Sequence, residues 1–438
     1  MAGISIEKDD SPGDSPSRLS ALAASLVGML ILAAVLNYID RLTTSALAPT
    51  LKEEFTLKAT EWGWVNSSFA LAYIVGSLLG GMWIDRVGVR KGMVASIVLW
   101  SLAAMGHAFA TGFWSLCFWR MLLALGEGPG IPCMLKGMRR LMPPAQRDMG
   151  TGLIFAGGAA GALLAPLCVI PIANLYGWQA GFLVTGGAGL IWAPIWWLLS
   201  AKPSLRLGNE AVKLTASSDT PPKPLEWQSL TLWATLLAIF FTVPPTVYAN
   251  AFLPLHLNTD FGQTQEQMAK YLWQPFLAVD IGQLVGGFAA AWLIKRHWSY
   301  LSARRIVMCC GFIGATCILG MNFETDVQRA LNWLNASRFC YQAAYTVLLA
   351  YGVESVAENQ TAFMAGLMNA TFSACNFVFS PIIGYLADHH GYRSVILMIG
   401  LVPLLGLVCW IVLSRIPVAR QNAAALQPAA TTADTAAR

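Results

Sequence analysis

The sequence predicts an all-α polytopic membrane protein, with twelve transmembrane helices in two pseudo-symmetric six-helix bundles. Three observations carry that expectation. Of 438 residues, 56% are hydrophobic and only 12% are charged, about half the charged share of a soluble chain. Twelve apolar runs approach or exceed the roughly 20 residues that a membrane helix needs. The longest polar stretch inside the chain falls after the sixth run and divides the runs evenly.

In chain order the helices are expected at 20–48, 61–84, 91–110, 112–135, 148–174 and 180–200, then at 229–257, 266–294, 305–322, 328–351, 360–387 and 393–414. The first follows the acidic leader MAGISIEKDDSPGDSPSR. A cleaved signal would show a basic start and a short apolar run ending in small residues, so this helix is expected to stay attached. Residues 1–18 and 416–438 have the composition of disordered cytoplasmic tails. Residues 201–228, AKPSLRLGNEAVKLTASSDTPPKPLEWQ, form a Pro-, Ser- and Thr-rich linker. The bundles are therefore expected over 19–200 and 229–415.

Charge sets the orientation. With the N-terminus inside, the cytoplasmic segments hold 20 of the 28 Lys and Arg residues, and the external loops with the helix ends that flank them hold only Lys52, Lys58, Lys270, Arg329 and Arg393. The positive-inside rule then places both termini in the cytoplasm, as in a bacterial-type inner membrane protein. The net charge of +5 is a topology signal and makes nucleic acid a poor partner. The nine cysteines lie mostly in apolar runs, and their spacing suggests no metal site.

The two halves echo each other. Gly80-Gly81 precedes Arg86, Arg90 and Lys91, while Gly286-Gly287 precedes Lys295, Arg296, Arg304 and Arg305. Pro166 precedes YGWQAGF, and Pro381 precedes HGYRSVI. Two similar halves joined by a cytoplasmic linker suggest a transporter that rocks about a site at the interface of the halves.

The most specific motif is GGMWIDRVGVRKG, residues 80–92, which contains Gly81, Asp85, Arg86, Gly88, Arg90 and Lys91. Gly81 suits close helix packing. Gly88 permits a tight turn. Asp85 can accept bonds from a neighbouring arginine or helix end, and the basic cluster holds the loop inside. This loop resembles the signature of the major facilitator superfamily, over about residues 20–415. NYIDR in the first helix, Arg120 and Glu127 followed by Pro129 and Pro132 in the fourth, and YGWQAGF before the sixth are similar to the anion:cation symporter family. WQPFLAVDIGQLVGG and GLMNATFSACNFVFSPIIGY extend the resemblance. It implies alternating access and proton-coupled transport of organic anions, as in bacterial hexuronate and galactonate carriers. It also implies a monomer that uses no cofactor beyond the proton gradient. Three departures stand out: GGFAAAWLIKR lacks an acid after its glycines, Phe155 stands where relatives often carry a polar residue, and Phe252 stands where they often carry Trp; the two phenylalanines point away from the usual sugar acids.

Charges within apolar helices mark the candidate site. A mid-membrane charge costs about 2.5–3.5 kcal/mol on insertion scales, so such groups normally face a cavity or one another. Asp40 and Arg41 are consecutive and point about 100° apart, so each is expected to meet a different neighbour around a central cavity. Arg120 and Glu127 lie two turns apart on one helix face. Asp40 and Glu127 are candidates for carrying the proton, with Arg120 as the switching partner, because a nearby guanidinium that moves can change the protonation of a buried carboxylate. Arg41, with its planar fork, is the candidate for binding a carboxylate. The family resemblance implies the same four roles. Tyr73, Gln274, Asn369 and Asn376 are candidate substrate contacts. Asp280 and Arg338 are the C-terminal counterparts, with no role assigned.

Competing classes fare worse. A drug-type antiporter or exporter would be expected to carry a Gly-Pro-x-x-Gly-Gly run in the fifth helix, where the sequence reads ALLAPLCVIP. A membrane enzyme would need a nucleophile with its base, a metal triad or a phosphate loop, and no stretch offers one. A transport-derived sensor or receptor would be expected to add a sizeable soluble domain.

Overall fold

The computed structural model describes residues 16–142, 147–201, 229–355 and 361–413. Most of the expected leader, nearly all of the linker 201–228 and the tail 416–438 lie outside the described residues.

The N-terminal half contains α1 (Pro16–Ala46), α2 (Ala48–Glu54), α3 (Ala59–Gly106), α4 (Phe113–Glu127), α5 (Gly130–Leu141), α6 (Arg147–Tyr176) and α7 (Trp178–Leu199). The C-terminal half contains α8 (Leu230–Thr242), α9 (Pro244–Ala251), α10 (Leu253–Thr259), α11 (Gln265–Met268), α12 (Gln274–Lys295), α13 (Tyr300–Gly314), a 3-10 stretch (Ala315–Phe323), α14 (Val327–Glu354) and α15 (Thr361–Leu413).

The crossings number twelve, but several boundaries differ from expectation. The loop expected between the second and third helices shrinks to one non-helical residue, Gly88, at φ 81°. The eleventh and twelfth helices are likewise divided only at Gly391, at φ 72°. Both angles lie in the region that a residue without Cβ enters freely. The crossing expected at 229–257 is three segments. Pro244 opens α9 and Pro254 sits in the first turn of α10, because a proline cannot donate the backbone bond that would continue the preceding helix. The eighth crossing begins at Gln274 rather than 266, after the separate turn α11. Among the described residues nine helices are long and apolar enough to cross a membrane, one of them holding both crossings around Gly391. The α4–α5 pair, broken at Gly128-Pro129 into helices of 15 and 12 residues, and α14, which carries Arg338, supply the other two.

Glycines fix the helix spacing alike in both halves. A Cβ at Gly80 would lie 2.3 Å from the Pro129 side chain, and one at Gly286 would lie 2.3 Å from the Ala343 carbonyl. Small residues allow this approach, which strengthens van der Waals contact where lipid supplies no hydrophobic drive. Gly80, at the start of the motif, makes one such close contact. The surroundings of Gly81 and the side chain of Asp85 lie outside the described residues.

The apolar core joins the halves at one end only. One cluster, with Leu26, Leu30, Met93, Trp100, Met134 and Trp196, belongs to the N-terminal half alone. A larger one unites Leu51, Trp62 and Val65 with Val247, Phe252 and Phe379 of the other half. Hydrogen bonds cross at the same end. The Trp62 indole donates to the Ala251 carbonyl at 2.8 Å, and Ser67 donates to the Phe377 carbonyl at 2.8 Å. Asp388 accepts from the backbone of Ala59 at 2.8 Å and of Thr60 at 2.7 Å, and from the Thr60 hydroxyl at 2.7 Å. Thr50 and Gln265 form a further bond across the halves. These hydrogen bonds between the halves all lie at this closed end. Towards the other end Gln283 and Asn369 are exposed, and a Cβ added at Gly152, Gly287 or Gly366 would touch nothing within 4 Å. A cavity therefore opens between the halves on that side.

Candidate substrate and proton site

Arg41 projects from α1 and binds Glu127 of α4, with Nε 2.8 Å and Nη2 2.7 Å from the same carboxylate oxygen, Oε2. Glu127 is fully buried, while the Arg41 side chain keeps 22% exposure. Three aromatic rings surround the guanidinium, with centroids 5.1 Å away for Tyr38, 5.3 Å for Phe69 and 4.8 Å for Tyr73. Such rings attract a cation most strongly where water is scarce. The other Glu127 oxygen, Oε1, is buried and has no hydrogen-bond partner among the described residues.

Arg120 does not partner Glu127. Its Nη1 donates to the Arg41 backbone carbonyl at 3.2 Å and to the Thr44 hydroxyl at 3.4 Å, and its Nη2 donates to Asn66 Oδ1 at 3.1 Å. Seven residues place both groups on one face of α4 but separate them by a rise of about 10 Å, so each meets a different level of α1. The two charges still interact across that separation, without a direct bond. Arg120 instead ties α4 to α1 and to the start of α3.

Asp40 turns away from Arg41, as consecutive helical positions require. It is 1% exposed, so it sits behind the open cavity instead of on its wall. Neither carboxylate oxygen has a hydrogen bond among the described residues. Thr185 of α7 and the Trp100 indole of α3 are the polar groups near it. An unpartnered carboxylate in such a place is costly unless it is neutral or can become so.

The softer candidates divide. Tyr73 is half-buried and stacks on Phe69 at 5.7 Å, inside the aromatic cage. Gln274 is not in the cavity. Its side chain joins an amide cluster at the closed end, accepting from Gln328 and from Asn335 at 3.1 Å each. The sequence could not show this, because the helix that carries Gln274 starts later than its apolar run suggested. Asn369 is exposed on the open side. Asn376 donates to the Phe372 carbonyl one turn back at 2.9 Å. Tyr38, Phe69, Asn66 and Thr44 were missed by sequence reasoning. Tyr38 lies three positions before Arg41 and Phe69 four before Tyr73, the helical spacing that brings rings to one face.

The Major Facilitator Superfamily description matches residues 30–334 and again 281–434. The chain belongs to this superfamily. Relatives extend over nearly the whole length. A D-galactonate transporter of Escherichia coli O6:H1 is 28% identical over 88% of this chain and 94% of its own. A hexuronate transporter of Escherichia coli K12 is 25% identical over 91% and 96%. The fold also matches a solved bacterial homolog of the human lysosomal transporter Spinster in an inward-facing and occupied conformation, with a TM-score of 0.73, 17% identity, and coverage of 94% of this chain and 98% of that one.

In this superfamily member the signature loop is tied down by Arg90. Its guanidinium lies 3.9 Å from the Trp197 ring centre and donates to the Trp197 carbonyl at 3.0 Å. The Trp196 indole donates back to the Arg90 carbonyl at 3.3 Å. The loop is thereby fastened to the end of α7, while Arg86 and Lys91 stay exposed.

Proposed function

We propose that this chain is a proton-coupled symporter that imports an organic anion of the sugar-acid kind by alternating access. The observation that carries the proposal is the Arg41–Glu127 pair: a caged guanidinium facing the cavity, held by a fully buried carboxylate. Protonation of Glu127 removes the charge that holds Arg41. The freed fork then offers two parallel donors to a substrate carboxylate, the geometry that guanidinium provides and ammonium does not. Release of the proton restores the pair and expels the anion. One carboxylate thus makes anion binding conditional on a proton. Asp40, buried without a partner, is the second proton carrier, and its burial couples it to repacking of α1 against α3 and α7. The names of the galactonate and hexuronate relatives support a sugar acid as cargo. With both termini inside, the closed end faces outward and the cavity opens to the cytoplasm, the state in which cargo and proton leave.

The test is uptake by proteoliposomes with a pH dye inside and an imposed inward proton gradient, using galactonate, hexuronates and small dicarboxylates. Lumen acidification that accompanies uptake of one acid is the expected result. No acidification with any acid, in protein that melts cooperatively, would overturn the proposal.

A further inference from the structure

The helix α12 presents three faces. Gly282 and Gly286 pack on α14, against Phe339 and Ala343. Leu277, Ile281, Leu284, Val285 and Phe288 are exposed and form an apolar stripe suited to lipid. The third face carries Phe276, Asp280, Gln283 and Gly287, at spacings of four, three and four residues that keep them on one side of the helix. Phe276 packs against the Leu42, Ala162 and Ala165 cluster of the N-terminal half, as Tyr38 does. Gln283 is exposed, and a Cβ at Gly287 would meet nothing. Between them Asp280 is half-buried, and among the described residues it has neither an ion pair nor a hydrogen bond. Its carboxylate lies within electrostatic reach of the Tyr38 hydroxyl, as do Arg41, Tyr73 and Glu127. Tyr38 thus shares one electrostatic neighbourhood with the Arg41 cation of the N-terminal half and the Asp280 carboxylate of the C-terminal half.

We infer that Asp280 reads the end of the substrate opposite its carboxylate: the site takes a monoanion whose far end donates hydrogen bonds, and it rejects a dianion. The inference rests on the proposed anion transport and names the class of anion. Arg41 takes one carboxylate. A hydroxyl or ammonium at the far end satisfies Asp280, which accepts hydrogen bonds but, when ionised, has none to donate. A second carboxylate placed there meets a like charge in a partly desolvated wall, a repulsive element of the kind that sets specificity. Polyhydroxy monoacids fit this pattern and their diacid counterparts do not.

The test compares D-galactonate with galactarate, which differ only in whether the terminal carbon is an alcohol or a carboxylate. Affinity for each is measured by competition in proteoliposomes on the full-length chain, for wild type, Asp280→Asn and Asp280→Ser. The half-exposed position makes both variants compatible with folding, which their melting curves verify. Wild type is expected to favour galactonate by about 30-fold or more, and both variants to narrow the preference to within about 3-fold, chiefly by improved galactarate binding. A preference that stays unchanged in two folded variants overturns the inference and leaves anion transport intact. An unchanged preference together with lost gradient-driven accumulation would make Asp280 a proton carrier instead. If wild type binds neither acid nor any other organic anion, the transport proposal falls and the inference falls with it.

Discussion

In the N-terminal half Arg120 of α4 donates to the Thr44 hydroxyl of α1, and in the C-terminal half Arg338 of α14 donates to the Thr246 hydroxyl of α9 at 2.7 Å. The two arginines occupy matching places in matching bundles, and both are 3% exposed. Their surroundings differ. Four and three residues before Thr44 stand Asp40 and Arg41; at the same distances before Thr246 stand Thr242 and Val243. Seven residues after Arg120 stands Glu127; seven after Arg338 stands Tyr345. The second half therefore keeps the helix-bridging cation and lacks both buried carboxylates and the caged guanidinium. Among the described residues no carboxylate pairs with Arg338, and its Nε has no partner. Duplication supplied the frame twice, whereas the charges that could couple a proton to an anion are concentrated in the first half. Asp280 is the second half's contribution to the cavity wall.

The largest effect is expected at the N-terminal pair. Arg41→Ala should reduce uptake by about 100-fold or more, because it removes the anion ligand and leaves Glu127 buried without a counter-charge. Arg41→Lys should keep the charge and still lose about tenfold in affinity, since the planar fork is gone. Affinity unchanged in Arg41→Lys would remove the guanidinium from the substrate site.

Arg338 gives the sharpest contrast between the halves. An uncompensated buried charge costs several kcal/mol, so Arg338→Met should leave the melting temperature unchanged or raise it. Uptake should nonetheless fall about tenfold, because α14 loses its bond to Thr246 on α9. A melting temperature that falls steeply, with specific activity retained, would make Arg338 a structural bridge only.

A smaller effect is expected at the closed end. Asp388 lies three residues before Gly391, as Asp85 lies three before Gly88. It caps the first turn of α3 with three bonds, each worth about 1.5–3 kcal/mol when the acceptor is charged. Asp388→Ala should open this end more often. Ser45, buried beside a small cavity of about 20 Å³ at the seam, reports it: maleimide labelling of Ser45→Cys should rise several-fold when Asp388→Ala is added. Equal labelling would show that the apolar seam holds the end shut without the carboxylate.

The smallest difference separates two asparagines on α15. Asn369 is exposed to the cavity side, while the Asn376 amide is committed to the Phe372 carbonyl. Asn369→Ala should therefore raise the KM for a sugar acid by about tenfold and Asn376→Ala by less than about 3-fold. The reverse order would place the contact one level deeper.

Much of the frame was legible in the sequence because lipid imposes a simple length rule and Gly88 marks its own turn. The charged residues were also legible, since burying them without purpose is costly. Their pairing was less so. Arg120 and Glu127 share a helix face, which suggested partnership, but a face runs along the axis, and α1 meets it at two levels with different atoms: the Arg41 carbonyl with Thr44, and the Arg41 guanidinium. Gln274 was misplaced for a related reason. Hydropathy does not distinguish the turn α11 from the helix that follows it, so depth along the crossing was misjudged. The aromatic cage was hidden because Tyr38 and Phe69 look like packing residues until Arg41 is set between them.

The central claim is that protonation of Glu127 switches Arg41 between carboxylate and cargo. Its most direct test is Glu127→Gln, which holds the site in the neutral state, measured both for gradient-driven accumulation of galactonate and for counterflow exchange at equal pH on both sides. The account predicts that accumulation is lost while counterflow persists at a comparable rate, because Arg41 is free to bind the anion whether or not a proton is supplied. Accumulation retained against its gradient, or both activities lost in a variant that folds and melts like wild type, would contradict it.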